Sequence, residues 1–295
     1  VQGASSREED FVEHLFVANT HSYILFFTDK GKCYWVKVYD IPEGGRAAKG
    51  RAIVNLISCE PDEKVSAFIS VKEFNEDHFV VMATEKGIVK KTKLSAYSNP
   101  RKKGIYAVEI RDGDKLIEAR VSTGDNDILL GTRNGKSIRF SEEQIRPSGR
   151  KTMGVKGITL SSEDDRLVGM LLIKREGTTV LVATEKGFGK RTERSQYRAQ
   201  KRGGKGVLTM KTTDKVGKMV TIKEVVDKDD LMIITNQGVL IRQPVSQIRA
   251  IGRATQGVKL IKLGEGTLVS SITRIMSEED GGDENDSAEP KDNTE

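Results

Sequence analysis

The residues whose types and spacing most plainly suit chemistry are Gln200-Lys201-Arg202-Gly203-Gly204-Lys205-Gly206, where three bases and three glycines fall within seven positions. Glycine lets a backbone approach an anion closely and aim N–H groups at it. Lys201, Arg202 and Lys205 add positive charge, and the Gln200 amide suits a phosphate or a neighbouring loop. The chemistry is phosphate binding; the plainer alternative is a flexible surface turn. The segment is not a Walker loop, which needs Ser or Thr after its Lys, whereas Gly206 follows Lys205. Gly189-Lys190-Arg191-Thr192 also misses that motif, with Arg at the required place and no glycine at 184.

Other chemistries find little support. His14, His21 and His78 are scattered, and none has a nearby Cys or acid pattern for metal binding or nucleophile activation. Cys33 and Cys59 are the only cysteines, too few for a disulfide framework or a zinc site, and they read as small buried residues in a reducing cytoplasm. The sequence therefore predicts no catalytic residue, no metal site and no cofactor in this chain.

Charge points to a polyanion. The net charge of the 295 residues is +6, but residues 277–295 hold nine acids and one base, leaving +14 on residues 1–276. A basic body with an acidic tail suits an anionic partner and a segment able to compete with it. The tail, 277–295, is expected to be disordered. No apolar run approaches the length of a membrane span. The start, Val1-Gln2-Gly3-Ala4-Ser5-Ser6, does not read as a signal peptide and lacks an initiator Met, so the sequence reads as part of a longer chain.

The elements that position these bases repeat. Tyr23-Ile24-Leu25-Phe26-Phe27 precedes Asp29-Lys30-Gly31, and Phe79-Val80-Val81-Met82 precedes Glu85-Lys86-Gly87. The same plan recurs before Gly135, Gly187 and Gly238, at intervals of 56, 48, 52 and 51 residues. Short polar turns ending in Gly between β-branched or apolar runs are hairpin signatures. A second glycine follows in each unit, at 50, 104, 157, 206 and 257, before another strand-like run. Each unit thus reads as four short strands in roughly 50 residues, an all-β, propeller-like array. Ser141 to Ile145 and Val245 to Ile248 suit single helical turns. Phe11 to Ala18 aligns with the closing strands, so the chain reads as five complete units and half of a sixth.

Bases recur at equivalent places. Four residues after the turn glycine stand Lys91, Arg139, Arg191 and Arg242; before the second glycine stand Arg46 and Lys49, then Arg101, Lys102 and Lys103, then Arg150, Lys151 and Lys156, then Arg253. Radial units would place them on one rim, as a positive belt suited to a phosphate backbone. Aromatic residues make up only 5% and do not interleave with the bases, which disfavours single-stranded or RNA stacking platforms.

Gln200 to Gly206 resembles the seven-residue box of the C-terminal domain family of DNA gyrase A subunits, Q-[RK]-R-G-G-[RK]-G. Glu8-Glu9-Asp10-Phe11, Val17-Ala18-Asn19-Thr20-His21, Lys37-Val38-Tyr39, Gly50-Arg51-Ala52-Ile53-Val54-Asn55-Leu56 and Gly252-Arg253-Ala254-Thr255-Gln256-Gly257-Val258 resemble the same family. The resemblance spans residues 1–276. It implies a six-bladed β-pinwheel whose blades exchange strands and whose basic rim wraps double-stranded DNA. It also implies a parent enzyme, a type IIA topoisomerase, that adds negative supercoils with ATP and Mg²⁺ bound elsewhere. Its partners would be the rest of the gyrase A polypeptide together with gyrase B in an A2B2 heterotetramer, in a bacterial cytoplasm at the nucleoid. In the family the principal box lies in the first blade, which here falls just upstream of Val1, whereas residues 200–206 fall in the fifth.

Two alternatives stand beside this. The C-terminal domain of the topoisomerase IV protein that corresponds to gyrase A is similar but usually lacks a box and wraps less. A protein-interaction propeller of the Trp-Asp-repeat or kelch kind would need Gly-His and Trp-Asp signatures, and Trp35 is the only tryptophan.

Overall fold

The computed structural model describes residues 18–44, 53, 56–173 and 177–275. In chain order the strands are β1 (Tyr23–Thr28), β2 (Lys32–Lys37), β3 (Val65–Val71), β4 (Phe79–Thr84), β5 (Ile88–Lys93), β6 (Ile105–Tyr106) and β7 (Leu116–Ser122). Then come β8 (Asp127–Thr132), β9 (Lys136–Ser141), β10 (Val155–Lys156), β11 (Leu167–Ile173), β12 (Thr179–Thr184) and β13 (Phe188–Glu193). The last are β14 (Val207–Leu208), β15 (Met219–Val225), β16 (Asp230–Thr235), β17 (Leu240–Pro244), β18 (Val258–Lys259) and β19 (Val269–Ile275). A 3-10 turn follows each hairpin, including Glu142–Gln144 and Val245–Gln247 within the two stretches expected from sequence.

Every described strand pairing is antiparallel, and the sheets are ordered β3-β1-β2-β6, β10-β5-β4-β7, β11-β8-β9-β14, β15-β12-β13-β18 and β17-β16-β19. The hairpin and its closing strand belong to one repeat, while the fourth, two-residue strand comes from the next repeat. Blades therefore exchange strands. The closing strands β3, β7, β11, β15 and β19 pack against one another on the inside. The borrowed strands lie on the outer edge.

The blade count differs from the expectation. Five sheets are present among the described residues, four with four strands and one with three, rather than six. The sixth rested on the half-unit at 1–17, which lies outside the described residues, as do the tail 277–295, Arg46 and Lys49.

The first hairpin strands of the second, third and fourth sheets are apolar on both faces because each of these sheets is packed between two others. In β4, Val80 faces the core shared with the first sheet and Val81 the core shared with the third. In β8, Leu130 and Leu129 divide in the same way. In β12, Val182 and Leu181 do so again. A strand buried on both sides reads as an unbroken apolar run. Cys33 is buried in the first of these cores and Cys59 is half-buried; both are free thiols.

The turn glycines 31, 87, 135, 187 and 238 have φ between +76° and +82°, as hairpin turns require. One sequence assignment changes. In the third repeat the glycine before the borrowed strand is Gly154, with φ +86°, not Gly157. Gly157 instead follows β10 and sits against Leu130 and Val89.

These glycines offer a direct comparison. Gly135→Ala would set a Cβ 2.1 Å from the Met210 carbonyl oxygen at φ +82°, whereas Gly177, at φ +71°, has open space around it. In denaturant unfolding, Gly177→Ala should cost about 1 kcal/mol and Gly135→Ala about 3 kcal/mol or more.

Candidate nucleic-acid interface

Each borrowed strand is preceded by a loop that runs along the outer hairpin strand of the previous blade. Its backbone is fixed by one recurring bond: Ser148 N–H donates to Lys91 O, Gln200 N–H to Arg139 O and Ile251 N–H to Arg191 O. The loops 146–154, 198–206 and 249–257 thus occupy equivalent places on successive blades, at the perimeter; the loop 98–104 also leads into a borrowed strand but lacks that bond among the described residues.

An arginine at one register then links each loop to the preceding one. The Arg150 Nη1 donates to the Tyr106 carbonyl at 3.0 Å, Arg202 Nη1 to Lys156 O at 3.0 Å, and Arg253 Nη1 to Leu208 O at 2.8 Å. The acceptor is always the second residue of the previous borrowed strand. Arg202 also donates from Nε to Gln144 O at 3.0 Å.

The bases four residues after the turn glycine are tied down similarly. Lys91, 4% exposed, pairs with the fully buried Glu142 at 2.9 Å, donates to Gly124 O at 3.1 Å and lies over the Phe79 ring. Arg139 donates to Asp127 Oδ2 from Nε at 2.8 Å and to Tyr197 O from Nη1 at 3.0 Å. Arg191 pairs with Asp227 and donates to Ile248 O at 2.7 Å. Arg242, the exposed one of the four, pairs with Asp230. Through Glu142, Tyr197 and Ile248, three of them grip the 3-10 turn, or the residue that ends it, in the next repeat.

The remaining predicted bases are free. Arg101, Lys102, Lys103, Lys156, Lys201 and Lys205 are on the perimeter, with no side-chain partner among the described residues. Lys151 is exposed and has only the Tyr106 ring within 5.9 Å. Arg146, Arg198 and Arg249 on the same loops are exposed too. At the turn ends, by contrast, Lys30 pairs with Asp62, and Lys86 and Lys186 bond the carbonyls of Asp112 and Asp214. Lys64, Lys115, Lys211, Lys215 and Lys262 are exposed elsewhere, also without a side-chain partner among the described residues, so the perimeter loops hold the larger share of the unpaired cation charge rather than all of it.

Within the glycine loop, Lys201 and Lys205 face solvent while the rest is knitted inward. Gly203 N–H donates to Gly157 O at 2.7 Å, and Thr159 donates to Gly204 O from its N–H and to Gly203 O from its hydroxyl. Gly206, at φ +69°, leaves a Cβ only 2.3 Å from Ser137 O, so no side chain fits there. Gln200 is held by its backbone, and its amide nitrogen is buried without a hydrogen bond.

Two buried lysines that brace these loops escaped the sequence reading. Lys90 and Lys190 stand three residues after their turn glycines and are 1% and 0% exposed. Lys90 Nζ donates to Ala107 O at 2.8 Å and Arg150 O at 2.5 Å. Lys190 Nζ donates to Gly252 O at 2.7 Å, to Arg253 O and to Thr255 Oγ1 at 3.1 Å. Burial pushes both ammonium groups down to about 8, helped by the nearby Arg150 and Arg253 charges. Their adjacency to Lys91 and Arg191 was the available signal: in a strand, neighbouring residues face opposite sides.

Fold and perimeter define a propeller built by strand exchange, with an outer edge of free bases. The chain belongs to the DNA gyrase C-terminal domain, beta-propeller family, whose model matches residues 22–72, 78–123, 126–174, 178–225 and 229–275, one match per sheet. It is 45% identical to the DNA gyrase A protein of Staphylococcus epidermidis over 282 residues, 95% of this chain and 32% of that one. It is 45% identical to that of Staphylococcus aureus over 296 residues, 100% of this chain and 33% of that one. The chain thus spans about a third of these curated relatives. Among solved structures, the C-terminal domain of DNA topoisomerase IV superposes with a TM-score of 0.80 at 25% identity, covering 87% of this chain and 80% of that one. The DNA gyrase A C-terminal domain gives 0.77 at 22%, covering 94% and 92%.

The lysine burial has a measurable sign. Lys190 releases its proton near pH 8 when folded and near its ordinary 10.5 when unfolded. Between these values the unfolded chain holds the extra proton, so this group makes stability rise with pH. Comparing wild type with Lys190→Met by denaturant unfolding at both ends of that window should show a relative wild-type gain of about 2 kcal/mol.

Proposed function

We propose that this chain binds double-stranded DNA without sequence preference along its perimeter loops and bends it around the blades. The observation that carries this reading is the concentration of unpaired bases on equivalent loops of successive blades. Lys102, Lys103, Lys151, Lys156, Lys201 and Lys205 supply mobile charge to phosphates, while the glycines at 203, 204 and 206 let the loop pack against the neighbouring blade and so hold Lys201 and Lys205 outward. Bending a site of 20–30 base pairs costs on the order of 1–6 kcal/mol, which many phosphate contacts offset.

The relatives named as DNA gyrase A proteins support a parent enzyme of that kind. In it, wrapped DNA would be presented for ATP-dependent strand passage that adds negative supercoils. The chemistry, ATP and Mg²⁺ would sit elsewhere in an assembly with gyrase B, in the bacterial cytoplasm at the nucleoid. The likeness to the topoisomerase IV domain keeps a second reading, in which the duplex is held but supercoils are not introduced. Supercoiling of relaxed plasmid by the parent enzyme separates the two.

Salt titration tests the interface itself. Log affinity for linear duplex should fall linearly with log salt, and a flat response would sink the proposal. Ala substitution at Lys102, Lys151, Lys201 or Lys205 should each reduce the slope by about 0.9. Arg139→Ala and Arg191→Ala should instead lower the melting temperature and leave the slope unchanged, because their charge is spent inside the fold.

A further inference from the structure

Three of the four perimeter loops fall into two kinds, and the residue beneath them divides them; the loop 98–104, with Tyr34 beneath, belongs to neither. Gly149-Arg150-Lys151-Thr152-Met153-Gly154 and Gly252-Arg253-Ala254-Thr255-Gln256-Gly257 share the pattern G-R-x-T-x-G. Their threonine hydroxyls bond the carbonyls of Gly149 and Gly252, both at 3.0 Å. Their threonine carbonyls accept from Glu109 N–H and Lys211 N–H, both at 3.0 Å. Beneath each lies a buried lysine of the preceding blade, Lys90 or Lys190. Beneath the glycine loop 200–206 the equivalent residue is Ile138, three after Gly135.

The lysine and the isoleucine go with opposite orientations of one peptide. In the G-R-x-T-x-G loops, the carbonyls of Arg150 and Arg253 turn inward onto the lysine ammonium. All peptides described are trans, so the N–H of each peptide points away from its carbonyl. The N–H groups of Lys151 and Ala254 therefore point outward. Neither N–H has a partner among the described residues. In the glycine loop the same register is reversed: Gly203 N–H donates inward to Gly157 O, with Gly203 at φ +80°.

We propose that Lys90 and Lys190 are positioning residues that hold the peptides 150–151 and 253–254 with their N–H groups outward, making each loop a backbone phosphate-binding station. The proposal rests on the perimeter being the DNA-binding surface. The ammonium does two things there. It bonds the inward carbonyls, of which that of Arg253 also accepts the Thr255 N–H at 2.9 Å. It also polarises the peptide it binds, and a polarised amide is a stronger donor to an anion. The neighbouring Arg150 and Arg253 guanidiniums are spent on Tyr106 O and Leu208 O, so the phosphate is met by amide and not by arginine. At the 253–254 station the outward residue is Ala254, and the backbone is what it offers an anion.

The test follows single amides. A short blunt duplex is titrated at low salt into the isotopically labelled chain, wild type, Lys90→Met and Lys190→Met, with amide resonances recorded. In wild type, the Lys151 and Ala254 amides should shift downfield on binding. Lys90→Met should lose the shift at Lys151 only, Lys190→Met at Ala254 only, and both should keep the shifts of Lys201 and Lys205. Each variant should weaken duplex binding roughly fivefold, as expected for one hydrogen bond. Shifts at Lys201 and Lys205 without shifts at Lys151 and Ala254 would overturn the proposal and leave DNA binding intact. Persistence of the Ala254 shift in Lys190→Met would overturn it too. Absence of any wild-type binding would instead overturn the proposed function on which it rests. Should a variant fail to fold, the wild-type titration still decides, since it alone reports whether the two outward amides meet phosphate.

Discussion

A β-hairpin leaves its outer strand with a row of unpaired N–H and C=O groups, and an open edge invites pairing. In this fold the row is met by two residues from the next repeat. Everything at the perimeter depends on that loan. It fixes where the preceding loop must run, because the chain has to reach the outer edge of a neighbouring blade. It also requires sharp backbone turns: Gly104, Gly154, Gly206 and Gly257 all sit immediately before a borrowed strand with positive φ. At Gly154, Gly206 and Gly257 a Cβ would lie 2.3–2.6 Å from a backbone oxygen of the neighbouring blade. A single device thus closes the sheets, joins the blades and places the loops.

The loan also explains why so much positive charge is spent within the molecule. A loop clamped onto another blade has backbone carbonyls facing inward, and these need donors. Arg150, Arg202 and Arg253 serve one set, Lys90 and Lys190 another, and Arg139 and Arg191 a third. Burying a cation costs several kcal/mol unless it is bonded; Lys190 has three acceptors and Lys90 two, and burial still lowers the proton affinity of both. Positive residues are also compatible with their surroundings, since the loops face outward, toward the DNA in the function proposed above. Structural and binding cations can then share one short segment. That is the arrangement in Lys201-Arg202 and Arg150-Lys151, where one base of each pair braces and the other is free.

The division accounts for what could be read from the sequence. Turn glycines, alternating and unbroken apolar runs and the 50-residue period are local signals, and they foretold the sheets, the hairpins and the single helical turns. The glycine before β10 was misplaced because Gly154 and Gly157 are three apart, and only backbone conformation separates them. The bases were legible as a group but not as individuals. Lys91 and Lys102 look alike in sequence; one is in a buried ion pair with Glu142 and the other in solvent, and the difference is made by residues about 50 positions away. Lys90 and Lys190 were hidden for the same reason, because their partners are mostly carbonyls, which no side-chain pattern announces.

Stiffness unites these features. A surface that bends a duplex must resist the elastic restoring force of the duplex, and a loop free to yield would simply follow straight DNA. Exposed ion pairs give little resistance, being worth about 1 kcal/mol or less. Carbonyls gripped by buried ammonium and guanidinium groups are different, since breaking such a contact strands a charge in the interior. The perimeter therefore combines two kinds of cation with opposite requirements. Those proposed to meet phosphate must remain mobile, solvated and replaceable by salt. Those beneath must be desolvated and immobile, and each of Lys90, Lys190, Arg139 and Arg191 grips a loop of the next repeat, so that resistance at one blade is passed to its neighbour. A curved and rigid binding edge follows from repeating that pair of roles around the array.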